Sequence, residues 1–120
     1  MKRAKRKRTP KTKGTFRVYC TYFPDGKYYI GFSTKTGTAY ENYFGSSKHV
    51  LEFEGELRKE TIAEFEKRSH ARMQEFLLQW QQRDDPLCLN DMINIRLRIS
   101  HLKDFQPLDW KPQYLLLETG

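Results

Sequence analysis

Val18-Tyr19-Cys20-Thr21-Tyr22-Phe23-Pro24-Asp25-Gly26-Lys27-Tyr28-Tyr29-Ile30-Gly31-Phe32-Ser33 reads as two short strands joined by a turn. Phe16, Val18, Cys20 and Tyr22 alternate with more polar neighbours, the period of a half-buried strand. In the turn, Pro24 presets φ, Asp25 bonds backbone locally and Gly26 supplies a positive φ. Lys27 to Phe32 is rich in aromatic and β-branched residues and forms the return strand. With residues 24–26 as the loop, Phe23 faces Lys27, Thr21 faces Tyr29 and Tyr19 faces Gly31. Tyr19 and Tyr29 then share one face, and Gly31 leaves space beside Tyr19 for a backbone or a ligand. Two phenols over a glycine make a polar site; a tyrosine-rich hairpin that is simply packed sheet is the commoner arrangement.

Beyond the hairpin, Thr34 to Asn42 reads as a loop or a short irregular helix. Ser46 to Leu57 fits a helix with Ser46 as N-cap and an apolar stripe of Val50, Leu51, Phe53 and Leu57. Its first turn would offer free N–H groups to an anion, with Lys48 adding charge; a plain capping serine and a solvated lysine are the alternative. Lys59 to Phe65 is the third strand, the minimum for a stable small sheet. Ser69 to Gln82 is the strongest helix, with Ser69 as N-cap and Ala71, Phe76, Leu77, Leu78 and Trp80 on its apolar face. Glu75 lies at the edge of that face, either as an ion-pair partner, the commoner case, or as a hard-oxygen metal ligand. Asp84-Asp85-Pro86 stops the helix. Residues 92–102 alternate in a way that fits helix or strand, and helix is favoured. Residues 103–120 form an extended strap whose Trp110, Tyr114, Leu115, Leu116 and Leu117 reach back to the core. The fold class is α+β: a small three-stranded antiparallel sheet flanked by helices, behind a disordered basic tail.

The 120 residues suffice for one modest core. The net charge of +7 is concentrated in residues 1–13, which carry eight cations, Lys5 and Arg6 among them, and no acid. Residues 1–14 bury nothing, and such a block reads as a nucleic-acid arm, a localisation signal or a solvated tail. No apolar run approaches the ~20 residues of a membrane span, and no apolar segment follows the basic stretch to make a secretory signal. Cys20 and Cys88 lack metal-ligand spacing and read as free thiols of a reducing cytoplasm. His49, His70 and His101 are isolated, and no Gly-rich phosphate loop or serine elbow is present.

Arg17-Val18-Tyr19, ten residues ahead of Tyr29-Ile30-Gly31, resembles the core of the GIY-YIG nucleases. The second triplet matches fully; the first has Arg for Gly and Val for Ile. Tyr43-Phe44-Gly45-Ser46-Ser47-Lys48 is similar to a Y-x-G-S-x-K segment of phage-encoded, homing-endonuclease-like members. The family carries a glutamate four residues after an alanine on the helix past the third strand, and an asparagine some fifteen residues later; Ala71, Glu75 and Asn90 repeat that spacing. The resemblance spans roughly residues 16 to 92 and places the nuclease-like domain at 15–102.

That resemblance implies a DNA endonuclease that hydrolyses phosphodiester bonds with Mg²⁺ or Mn²⁺, in a bacterial host cytoplasm if phage-encoded. Glu75 would hold the metal. Tyr19 would be the base for the attacking water, Tyr29 would bind phosphate and Asn90 would position substrate or metal. An unperturbed phenol has a pKa near ~10, so a base role needs a cation nearby. The family's helical arginine falls at Ala39 here, which leaves Lys35, Lys48 or Arg58, with Ser46, to meet phosphate. The competing carboxylate is Glu66. The alternatives are a non-catalytic nucleic-acid-binding protein on the same fold, favoured by Arg17 and Ala39, and a regulatory protein that binds another protein through the tail.

Overall fold

The computed structural model describes residues 16–93 and 95–113. Strands β1 (Phe16–Tyr22), β2 (Tyr28–Ser33) and β3 (Arg58–Phe65) form an antiparallel sheet in the order β2-β1-β3. The turn behaves as its residues dictate: Gly26 takes φ +95°, Asp25 Oδ1 accepts from Lys27 N at 3.1 Å, and Phe23 N donates to Lys27 O at 2.8 Å. The register follows, pairing Thr21 with Tyr29 and Tyr19 with Gly31. β1 is the central strand, so burial is not confined to the alternating set. Tyr19 and Thr21 are as buried as Val18 and Cys20.

Of the loop or short irregular helix expected after the hairpin, the structure has the helix, α1 (Gly37–Glu41). Helix α2 covers only Lys48–Leu51, not Ser46 to Leu57, and its cap is Ser47, whose Oγ accepts from His49 N at 3.2 Å. The expected stripe does not form a face: Val50 is buried, Leu51 is exposed, and Phe53 leaves the helix to pack edge-on against Phe23, 5.1 Å between centroids.

Helix α3 (Arg68–Gln81) packs across all three strands. Its N-cap is Lys67, not Ser69, which donates from Oγ to His101 O at 2.9 Å. Its buried positions are Ala71, Gln74, Leu78 and Gln79, while Trp80 is exposed and Phe76 and Leu77 are half-buried. The two buried glutamines stay satisfied by backbone. Gln74 bonds Leu108 in both directions, at 2.9 and 3.4 Å, and Gln79 Nε2 donates to Ile30 O at 3.1 Å. Phe16, Val18, Cys20, Tyr22, Tyr28, Ile30, Ala71 and Leu78 make the core.

The outer edge of β2 is closed by residues 87–90. Tyr28 N donates to Leu87 O at 2.9 Å and Leu89 N donates to Tyr28 O at 2.8 Å, a parallel bridge that hides an otherwise unpaired edge. The helix expected over 92–102 is not there. Among the described residues the segment holds only a 3₁₀ turn, Ile99–Leu102, and its Met92 and Ile99 are exposed. Trp110 packs edge-on against Tyr28 and donates from Nε1 to Glu60 Oε2 at 3.1 Å, as a strap would. Tyr114 to Leu117, and the basic tail with Lys5 and Arg6, lie outside the described residues.

Candidate active site

Tyr19 leans across the sheet onto Gly31. A Cβ at residue 31 would sit 2.5 Å from Tyr19 Cζ and closer still to Oη, so only glycine admits the ring. Gly45, at φ +129°, closes the other side, where a Cβ would lie 3.4 Å from Tyr19 Oη and 2.9 Å from the Tyr29 ring. Tyr40 and Tyr43 meet the Tyr19 ring edge-on at 6.2 and 6.0 Å. The space beside the glycine, expected to admit a ligand, is filled by Tyr19 itself.

Lys59 completes this aromatic vault. Its Nζ donates to Tyr40 O and to Tyr43 O and lies 3.5 Å from the Tyr40 ring centroid. Burial pushes its pKa below the usual lysine range. Burial raises Tyr19 far above the ordinary phenol value, and Tyr43, Tyr29 and Glu75 push the same way. Tyr19 is thus an enclosed phenol that is harder to ionise than a free one, which weighs against its expected role as the base.

Tyr29 faces an open cleft of about 470 Å³, with Glu75, Asn90 and Lys48 on its walls. Glu75 is the deep carboxylate. It accepts from Gln79 Nε2 at 3.2 Å and stands 3.7 Å from Arg72, one turn earlier on α3. Burial outweighs Arg72, Gln79 and Arg68, so the Glu75 pKa is raised. Tyr29 is raised too, first by burial and then by Glu75.

Asn90 is held rather than free to turn. Its Oδ1 accepts from Ile30 N at 2.8 Å and its Nδ2 donates to Ile30 O at 2.9 Å. Both ends of the amide are engaged by the β2 backbone, so Asn90 fixes the cleft wall that it lines.

The remaining expected contacts divide. Lys48 lines the cleft; Lys35 lies outside it, over the Tyr43 ring at 5.0 Å. Arg58 belongs to a different cavity, with Tyr22, Phe23, Pro24 and Glu56 at the turn end of the sheet. Ser46 neither caps α2 nor lines the cleft, and a four-residue helix offers no anion site. Glu66 is exposed and lines no wall of the cleft. Two cations were not singled out from sequence. Arg72 had a signal, its i,i+3 spacing to Glu75; Lys59 had none, because its aromatic cage is assembled from distant segments.

No cluster of three or more His, Cys, Asp or Glu side chains able to hold a metal occurs among the described residues. A magnesium-like ion commonly takes one or two carboxylates and completes its shell with water and phosphate oxygens. Glu75 is a carboxylate whose charge is poorly solvated, and Asp91 lines the same cleft. Among the described residues no helix is long and apolar enough to cross a membrane. Comparison with family models, with curated proteins and with solved structures finds no match for this chain.

Proposed function

We propose that the chain is a divalent-metal-dependent DNA endonuclease of GIY-YIG type, with Glu75 as its metal carboxylate. The supporting observation is convergence: Glu75 on α3, Tyr29 on β2 and the cations Arg72 and Lys48 line one cleft. A divalent ion held by Glu75 supplies Lewis-acid stabilisation of a phosphate oxygen. Tyr29, protonated, donates a hydrogen bond to that phosphate. Arg72 and Lys48 offset its charge and take the part of the arginine that Ala39 lacks. Tyr19 supports Tyr29 from behind through Gly45, and Asn90 keeps the β2 edge in place.

Plasmid nicking with and without Mg²⁺ or Mn²⁺ tests this reading, with a thermal melt on the same preparation. Glu75→Gln should abolish metal-dependent nicking while DNA binding measured without metal survives. A folded Glu75→Gln protein that nicks at the wild-type rate would falsify the assignment.

The 3.7 Å approach of Arg72 to Glu75 favours a second reading, a non-catalytic DNA-binding protein on the same fold. There the pair is structural. Wild-type protein that binds DNA and never nicks with either metal selects that reading.

A further inference from the structure

A second cavity, about 590 Å³, opens at the start of α3, and Arg68, Arg96, Arg98 and His101 line it with Ser69 and Leu97. Among the described residues no carboxylate lines it, and no salt bridge engages Arg68, Arg96 or Arg98. Cations gathered around one cavity, with no carboxylate in its lining, favour an anion there. The cavity is held by the fold: Ser69 Oγ bonds His101 O at 2.9 Å, and His101 N bonds Arg98 O at 3.0 Å.

Its continuity indicates a long anion. Arg68 also lines an adjoining cavity with Lys35 and Tyr43. Arg68 and Arg72 both stack on Phe32, at 5.5 and 5.2 Å, one helical turn apart. Arg72 then enters the Glu75 cleft. The cations are therefore continuous from Arg96 and Arg98 through Arg68 to Arg72, and a polynucleotide backbone supplies a continuous run of charges.

We propose that Arg68, Arg96 and Arg98 form a second phosphate site, which grips the nucleic-acid backbone away from the Glu75 cleft. This rests on the DNA reading above and not on catalysis. Phosphate contacts of this kind position the polymer without reading its bases.

The test is equilibrium binding of full-length protein to a labelled DNA duplex, without divalent metal, across a range of salt. Both arginines are exposed, so Arg96→Ala/Arg98→Ala should fold as wild type does. Its log–log salt slope should be shallower by about 2, near 0.9 for each lost phosphate contact. Arg96→Lys/Arg98→Lys keeps the charge and should restore the slope. A wild-type slope in the double alanine variant, with wild-type protein binding and nicking DNA, overturns this site alone. A shallower slope in the double alanine variant, with Glu75→Gln nicking as wild type does, supports this site and overturns the Glu75 assignment alone. Wild-type protein that binds no duplex at all overturns both.

Discussion

The vault around Tyr19 and the cleft beside Tyr29 share a wall and differ in almost every physical respect. Tyr19 is buried, ringed by Tyr40 and Tyr43, and placed by two glycines that leave its ring one position. Tyr29, ten residues later, fronts a cleft with two carboxylates, two cations and two amides. The vault is a shape problem solved by close packing, and the cleft is a charge problem left partly open. Gly45 touches both rings, so the rigid half sets where the polar half stands. A site built this way keeps its geometry in elements that do not contact substrate.

The largest effect should come from breaking the vault. Gly31→Ala would put a methyl group into the Tyr19 ring, 2.5 Å from Cζ. The ring cannot swing aside, because Tyr40 and Tyr43 hold it. Overpacking of a tight site costs about 1–3 kcal/mol, sometimes more. Chemical denaturation should show that loss, and nicking should fall further than the unfolded fraction explains. Wild-type stability would mean that the vault is loose and that the contrast with the cleft is overstated.

The vault was also the more legible half. Turn chemistry at residues 24–26 fixes the hairpin register, and the register alone sets Tyr19 opposite Gly31. Glu75 was legible as an odd carboxylate at the edge of an apolar helix face. The cleft's other walls were not. Val50, Leu51 and Phe53 have helical spacing, yet Phe53 finds a better partner in Phe23, distant in sequence. Residues 92–102 alternate, but Met92 and Ile99 stay 77% and 89% exposed, so no buried face selects either period. Gln74 and Gln79 are buried because backbone from Leu108 and Ile30 meets them, which no local pattern announces. Short-range chemistry was readable; contacts between distant segments decided the rest.

Asn90 sharpens the comparison from the side of the cleft. Its Oδ1 accepts from Ile30 N, and its Nδ2 shares the Ile30 carbonyl with Gln79, so removing it leaves the Ile30 N–H without its partner. Asn90→Ala should cost about 1–3 kcal/mol, the penalty of leaving such a group unpaired. Asn90→Asp should do no better, since one carboxylate oxygen would face the Ile30 carbonyl. Hydrogen exchange should locate the loss at the β2 edge and leave β1 protected. If Asn90→Ala melts with the wild type, the bridge at residues 87–89 closes that edge unaided.

The smallest effect tests the charge in the cleft directly. The Glu75 carboxyl is raised above its reference value of 4.5, chiefly because burial penalises the charged form. A raised carboxyl destabilises the fold where it is ionised. Below 4.5 it is protonated folded and unfolded, and costs nothing on that account. As pH climbs through the folded-state value, the wild type loses stability that Glu75→Gln keeps. In metal-free buffer, the two proteins should differ least near about pH 4, and the variant should melt higher near about pH 7. Adding Mg²⁺ at the higher pH should raise the wild-type melting temperature and leave the variant unchanged, because only the folded carboxylate binds the ion. The opposite order near neutral pH, with the variant melting lower, would mean that Arg72 compensates Glu75 in full. The cleft would then be as settled as the vault, and the structural ion pair would replace the metal carboxylate.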